Sequence, residues 1–165
     1  PGGYVSTFAG NGTAGHVDGP ASSAEFAHLQ CITADRFGNV YVFHDGYIRK
    51  ISGGVVSTIA GDGTSGGFQD GTGSAVKFGN VYALITDAAG NLYIADSFNN
   101  CIRKMTPAGT VTTITAHGTA GYIDGPIASA LFNNPDGLSI DASGNLYVGD
   151  TNNNVIRKIT FHPVH

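Results

Sequence analysis

The chain has 165 residues, which is long enough to bury a sizeable core as one domain. Its 25 Gly, single Met, absence of Trp and 12% charged residues are not typical of a helical protein. A formal net charge of −4 argues against nucleic acid as the main partner, because phosphate backbones are held mostly by Lys and Arg. No apolar run approaches the ~18 residues of a membrane-spanning helix, so we expect no membrane partner.

The first predicted element is a β-strand at residues 4–9. The opening PGGYVSTF has neither an initiator Met nor a charged-then-apolar leader, so we expect a processed, truncated or engineered chain. Close copies of this strand return as VSTIA (56–60) and VTTIT (111–115). The chain therefore begins with an outer-strand sequence that precedes its first complete unit.

Three copies of one unit follow along the chain. The Gly-Asn pairs that begin at positions 38, 90 and 144 lie 52 and 54 residues apart. In the same register the chain repeats an Asp, a Tyr and an Arg-Lys pair, and the three cores cover about 26–60, 78–115 and 132–160. A repeat of this length is typical of an architecture assembled from identical supersecondary units.

The middle copy shows the elements of one unit. Short β-like runs occupy 81–86, 91–95, 101–105 and 110–114, and turn sequences rich in Asp, Asn and Gly separate them. We expect the preceding SAVKF segment to form one helical turn that anchors Phe78 in the core. The unit is therefore predicted to be a four-stranded antiparallel sheet.

The third strand of each copy is apolar on both faces. Ile102 and Met105 are three residues apart, so a strand points them in opposite directions. A sheet with one wet face would alternate cleanly, whereas this one is predicted to be covered on both sides. Small four-stranded sheets that stack on one another are the blades of a β-propeller, so the predicted fold class is all-β.

The third copy carries a family resemblance. Its sequence FNNPDGLSIDASGNLYVGDTNNNVIRKI (132–159) resembles the NHL repeat almost throughout, and the resemblance extends over about residues 4–160. The second copy departs from the pattern at Val81 and Ala83. The first departs further, with Leu29, Cys31 and His44 at pattern positions and a shorter turn after its second strand.

Three blades do not make a ring. Propellers generally close with about four to eight blades, and the resemblance implies six. The last copy ends in FHPVH instead of an outer strand. We therefore predict a homodimer in which two half-propellers form a six-bladed ring, and residues 4–9 of each chain complete the partner's last blade.

Candidate ligand-binding residues lie in the loops expected at one rim of the ring. They are Asp18, His44, Asp70, Asp96, Asn99, Asp124, Asp150 and Asn152. Each also has a structural interpretation: the Asp-Gly carboxylates would cap their own loops, and Asp96 and Asp150 would stabilise turns. Expected at the central channel are His28, Asn80 and Asn134.

The sequence contains no pattern typical of a cofactor, a metal site or a catalytic elbow. Cys31 and Cys101 occupy non-equivalent positions and are expected to be free thiols. The leading prediction is therefore a non-enzymatic recognition module for a protein or glycan ligand.

Two alternatives remain open at this point. One is a metal-dependent lyase or hydrolase, since some proteins related to the NHL family hold a metal in the channel. The other is RNA binding, although Lys77 is the only cation near the rim. Resemblance to Gly-, Thr- and Asn-rich arrays favours a secreted or cell-surface location.

Overall fold

A computed structural model describes residues 2–161 of the chain. Within this range the protein is all-β, with 13 strands and three single-turn 3-10 segments. The strands are β1 (Gly19–Pro20), β2 (Leu29–Ala34), β3 (Val40–His44), β4 (Tyr47–Ser52), β5 (Val55–Ala60), β6 (Gly71–Thr72), β7 (Val81–Thr86), β8 (Leu92–Asp96), β9 (Cys101–Met105), β10 (Thr110–Thr113), β11 (Pro135–Ile140), β12 (Leu146–Asp150) and β13 (Val155–Ile159). The 3-10 segments are Ser97–Asn99, Ile127–Ser129 and Thr151–Asn153. None of the helical segments in the described range is long and apolar enough to cross a membrane.

The strands form three antiparallel sheets that follow the sequence repeat. Sheet 1 has the order β1-β5-β4-β3-β2, and sheet 2 repeats it as β6-β10-β9-β8-β7. Counted from β2 or β7, the fourth strand of these sheets is β5 or β10, and the two-residue β1 or β6 is the fifth. Sheet 3 contains β11-β12-β13, so among the described residues it has neither a fourth nor a fifth strand. The first strands β2, β7 and β11 contact one another in that order, which produces a propeller-like arrangement.

The strands of the middle copy lie within one residue of their predicted bounds. The predicted helical turn at residues 74–78 is wrong, because this segment makes a turn and then a single bridge between Gln69 and Lys77. Phe78 is nevertheless fully buried, as predicted for an anchor. Only the third copy has a 3-10 turn just before its buried Phe132.

The hairpin between β7 and β8 shows why the first two long strands of each sheet pair. Oδ1 of Asp87 accepts hydrogen bonds from the N–H groups of Ala89 (2.9 Å) and Asn91 (2.8 Å). Gly90 has a φ of +83°, which a residue with a Cβ adopts only at a cost. The same Asp-to-Gly-Asn geometry is present in the other two copies. This local chemistry sets the register of β2–β3, β7–β8 and β11–β12.

The core lies between neighbouring sheets. Tyr41, Phe43 and Ile48 of sheet 1 pack against the face of sheet 2 that includes Phe78 and Leu84. Sheet 2 presents the equivalent residues of its own strands to sheet 3. Each sheet is thus apolar on both faces, as the third-strand pattern predicted.

Residues 2–9 belong to no strand in the single chain. The side chains of Tyr4 and Val5 are fully exposed, and that of Phe8 is largely exposed. Of the FHPVH segment, residues 162–165 lie outside the described residues. Pairing of residues 4–9 with a partner chain stays a prediction.

Candidate functional site

The repeated Arg of the third strand organises each sheet. Arg103 of β9 is completely buried, and its guanidinium lies over the ring of Phe78 at 4.9 Å. It donates to Asp70 Oδ1 (2.8 Å) and to Asp96 Oδ2 (3.0 Å). Asp70 also accepts bonds from the N–H (2.8 Å) and Oγ1 (2.9 Å) of Thr113. We call this set the arginine network of sheet 2.

The arginine network determines the protonation of its carboxylates. Burial acts to raise the pKa of Asp70, but bonds from Thr113 and the charge of Arg103 outweigh it and hold that pKa below its usual value. For Asp96 burial dominates and raises the pKa, against the bonds from Asn99, Arg103 and Gly79. A carboxylate this enclosed stays ionised only because the guanidinium lies beside it.

Sheet 3 repeats the carboxylate pair. Arg157 donates to Asp124 Oδ1 (2.9 Å) and Asp150 Oδ2 (2.9 Å). Asn153 donates to Asp150 (2.8 Å) and to the Gly121 carbonyl (2.8 Å), as Asn99 does to its counterparts in sheet 2. The Asn side chains therefore connect the turn after the second strand to the incoming loop.

Sheet 1 lacks the buried carboxylate. His44 stands at the position of Asp96 and Asp150, and its Nε2 lies 3.3 Å from Nη1 of Arg49. Burial, together with the charges of Arg49 and His16, lowers the pKa of His44 to about 4. Arg49 keeps one carboxylate partner, the partly exposed Asp18 (2.8 Å). His44 is therefore neutral at pH 7.

The structure corrects two of the predicted roles. The prediction that Asp18, Asp70 and Asp124 cap their own loops is wrong, because their carboxylates bond the third-strand Arg. The predicted rim positions of His44, Asp96 and Asp150 are also not available to a ligand, since all three side chains are 0% exposed. Their hydrogen bonds are used inside the sheet instead.

The predicted channel residues lie together at the beginning of the first strands. Nδ1 of His28 is 3.0 Å from Oδ1 of Asp45, and both side chains reach the surface. Asn80 accepts a bond from Gln30 of sheet 1 and donates to the Tyr82 hydroxyl (3.0 Å). Hydrogen bonds therefore cross from sheet 1 to sheet 2 at this point.

Asn134 continues the row into sheet 3. Its backbone N–H donates to Oδ1 of Asn100 (2.9 Å), and its φ is +53°. Asn152 is exposed beside it and donates to Asn133 (3.3 Å). We call the exposed and partly exposed polar groups at these strand ends the inner-end surface, which comprises His28, Gln30, Asp45, Asn80, Tyr82 and Asn134.

Comparison with known proteins agrees with this repeat. The family model described as NHL repeat matches residues 132–159, and this confirms the resemblance. The third copy, residues 132–159, is therefore an NHL repeat. The chain is 37% identical over 94 residues to Protein SUPPRESSOR OF QUENCHING 1, chloroplastic, of Arabidopsis thaliana. It is 36% identical over 95 residues to NHL repeat-containing protein 2 of Homo sapiens.

These alignments include 56% and 55% of this chain, which spans only 9% and 13% of the two relatives. Among solved structures, an auxiliary nutrient binding protein from Bacteroides thetaiotaomicron is 27% identical with a TM-score of 0.70. That match covers 78% of this chain and 36% of the other. Virginiamycin B lyase from Staphylococcus aureus, at 17% identity and a TM-score of 0.54 over 81% and 38%, shares the fold alone.

The inner-end surface offers hydrogen bonding. Between residues 2 and 161, no three His, Cys, Asp or Glu side chains are grouped so that they could hold a metal ion. Cys31 and Cys101 are free thiols, and burial raises the pKa of Cys31 to about 12 and that of Cys101 further. Neither thiol is ionised at neutral pH, and the inner-end surface consists of amide, imidazole, carboxylate and phenol groups.

Sequence reasoning missed the Thr residues of the arginine network. Thr58 and Thr113 hold Asp18 and Asp70 through both a backbone N–H and a hydroxyl. The signal was present, because each outer strand carries Val, a hydroxyl residue and then Thr. On its own this pattern indicates only a β-strand.

Proposed function

We propose that this chain is a non-enzymatic recognition module that binds a protein or glycan ligand through its inner-end surface. The observation that carries the proposal is a contrast between repeated and varied positions. Inside the sheets the arginine network recurs with nearly the same residues. At the strand ends the equivalent positions hold three different environments, around His28, Asn80 and Asn134.

The contrast matters because packing and recognition make different demands. Every sheet must offer the next sheet the same surface, so structural residues repeat. A ligand that contacts several sheets at once is under no such constraint, and variation at exposed positions on a rigid scaffold is typical of a binding surface.

The groups present favour a polar ligand of low charge. Asn80, Gln30 and Tyr82 provide amide and hydroxyl donors and acceptors, and the single imidazole–carboxylate pair is His28 with Asp45. Such groups suit the hydroxyls of a glycan or the backbone of a peptide. The similarity to an auxiliary nutrient binding protein supports this class of function.

The proposal includes closure of the propeller by two chains. Three sheets lie with their first strands side by side, and propellers close with about four to eight blades, so three such sheets would fill half of a six-bladed ring. The inner-end surfaces of two copies would then surround one channel mouth. Each copy would contribute its own His28, Asn80 and Asn134.

A glycan array followed by calorimetry on the strongest ligand tests the binding role. We expect His28→Ala combined with Asn80→Ala to weaken affinity about tenfold, the typical effect of losing charge-assisted or paired hydrogen bonds. His117→Ala is the matched control, since His117 is an exposed histidine in the loop after β10. Equal affinities for both variants would contradict the inner-end site.

A second measurement addresses the enzymatic alternative. Purified protein is analysed for zinc and calcium and then assayed with the metal added back. Stoichiometric metal that His28→Ala removes would overturn the non-enzymatic assignment. We expect no metal to be retained after gel filtration.

A further inference from the structure

Asp124 differs from its two counterparts in one respect. Asp18 accepts bonds from the N–H (2.7 Å) and Oγ1 (3.2 Å) of Thr58, and Asp70 accepts the same pair from Thr113. Both Thr residues belong to the fourth strand of the same sheet. Within the described residues Asp124 bonds Arg157 alone.

The three carboxylates also differ in the exposed fraction of their side chains. The side chain of Asp124 is 78% exposed, whereas those of Asp18 and Asp70 are 41% and 39% exposed. Asp124 lies at the edge of sheet 3 where a fourth strand would run. Among the described residues, Asp124 therefore lacks the threonine donor that Asp18 and Asp70 have.

A segment with the sequence of such a strand lies near the beginning of the chain. Val5-Ser6-Thr7 matches Val56-Ser57-Thr58 of β5 and Val111-Thr112-Thr113 of β10. Those strands place Thr58 and Thr113 opposite the buried arginines of β4 and β9. The equivalent placement of Thr7 is opposite Arg157, next to Asp124.

Residues 4–9 do not reach that edge within their own chain. Gly10 and Asn11 donate to the carbonyls of Ala21 (2.7 Å) and Ala24 (3.0 Å), which fixes the segment to sheet 1. Sheet 2 lies between sheet 1 and sheet 3. The edge of sheet 3 and residues 4–9 therefore lie on opposite sides of one molecule.

The outward faces of sheet 1 and sheet 3 each expose an apolar residue whose counterpart is buried between sheets. Ile48 and Ile102 are 0% exposed because the following sheet covers them, but their counterpart Ile156 is 80% exposed. On the other face, Leu84 is 5% exposed against the preceding sheet, but its counterpart Ile32 is 68% exposed.

Ile32 lies in an apolar groove of about 390 Å³ along sheet 1. Its lining includes Phe8, Phe26, Leu29, Ile32, Val42 and Ile51. The same positions in sheet 2 receive Tyr41, Phe43 and Ile48 of the preceding sheet. The groove thus has the shape and polarity of a sheet-to-sheet contact.

We propose that a second copy of this chain covers the edge of sheet 3 and the groove of sheet 1, with Thr7 of one copy bonded to Asp124 of the other. Ile156 of each copy enters the groove of its partner, and residues 4–9 pair with β13 of that partner. Every copy carries both the donor strand and the acceptor edge, so two copies form two equivalent junctions. This inference rests on the two-chain ring of the proposed function. It adds the register in which residues 4–9 pair with β13 of the partner, and the hydrogen bond between Thr7 and Asp124.

Side-chain replacement at the junction is the first test. Multi-angle light scattering should give twice the 16.9 kDa chain mass for the unaltered protein. Ile156→Glu should raise the dimer dissociation constant at least about tenfold, since a charge would enter an apolar contact. Ile123→Glu is the matched control, because Ile123 is half exposed and its counterpart Val17 is also exposed in the complete sheet 1.

The polar contact is tested with a pair of threonines. Thr7→Val removes a hydroxyl that would bond Asp124, so it should raise the dimer dissociation constant about fivefold. Thr58→Val removes the equivalent hydroxyl inside sheet 1, so it should lower stability without weakening association. Equal effects of the two changes on association would overturn the contact.

A cross-link tests the register without relying on affinity. One chain carries Ser6→Cys and the other Lys158→Cys, both in a Cys31→Ser, Cys101→Ala background. Thr112 and Lys104 are paired in sheet 2, so the two new thiols should lie opposite each other. Oxidation of the mixture should give a disulfide-linked heterodimer, and Ser22→Cys in place of Ser6→Cys should not.

The outcomes separate this inference from the ring itself. A mass of 16.9 kDa at all concentrations would overturn both. A dimer that forms normally with Ile156→Glu and gives no cross-link would leave a two-chain assembly but overturn this register. Ligand binding is measured independently of either result.

Discussion

Sheet 1 and sheet 2 share one architecture but hold their buried arginines differently. Arg103 is bonded to two carboxylates, one of them fully enclosed. Arg49 has the partly exposed Asp18 and, at the enclosed position, the neutral ring of His44. A single change at one repeat position therefore replaces the enclosed carboxylate of sheet 2 with a neutral ring in sheet 1. The comparison shows how a repeat can keep its fold and still differ in electrostatics.

The largest expected effect comes from removing each arginine. Arg103→Met should cost about 3–5 kcal/mol of unfolding free energy, because it leaves the enclosed Asp96 without its counter-charge. Arg49→Met should cost about half as much, since Asp18 can regain water. Urea unfolding at a fixed protein concentration measures both. Equal losses would show that the enclosed carboxylate is not the source of the difference.

The second-largest expected difference between the two sheets is the dependence of stability on pH. The folded-state pKa of His44 is about 4, below the usual 6.5. The unfolded state therefore binds more protons below pH 6.5, and stability falls as the pH drops from about 6.5 to about 4. We expect a loss on the order of 2 kcal/mol between pH 7 and pH 5. His44→Gln should remove most of this loss in thermal unfolding scans, and an unchanged pH profile would exclude His44 as its source.

Restoring the carboxylate in sheet 1 is a smaller perturbation. His44→Asp gives Arg49 the partner that Arg103 has in Asp96. We expect a gain of about 1 kcal/mol at pH 7, limited because the shorter turn of sheet 1 has no residue matching Asn99. Chemical denaturation of the two proteins side by side provides the measurement. A loss of stability would mean that the site is shaped for an imidazole.

The smallest effects should be equal in the two sheets. Lys50 lies over the Tyr41 ring and Lys104 over the Tyr93 ring, both at 5.7 Å. Lys50→Ala and Lys104→Ala should each cost about 0.5 kcal/mol, the usual value of an exposed cation–π contact. A difference larger than the error of the unfolding experiment would show that the sheets differ outside the arginine network as well.

Much of the fold followed from local sequence. The strands of the middle copy were predicted within one residue because their turns depend on near neighbours. Asp87 bonds residues two and four positions away, and Gly90 supplies the left-handed backbone between them. The predicted helical turn before Phe78 was wrong because Gln69 and Lys77 pair across the loop, a contact with no signal in the SAVKF segment.

The candidate site was predicted only in outline. The grouping of His28, Asn80 and Asn134 at one end of the first strands is observed, since repeat-equivalent positions must share one end of the sheets. Burial of His44, Asp96 and Asp150 was not predicted. An Asp in a turn has the same local sequence whether it faces water or a guanidinium.

By itself the sequence determined the repeat, the strands with their hairpin turns, and the apolar character of both faces of each sheet. Only the tertiary structure decided which polar groups meet. Asp70 lies 33 positions from Arg103 and 43 from Thr113. Local turn chemistry acts over a few residues, whereas partners at such separations are chosen by the way complete strands pack side by side.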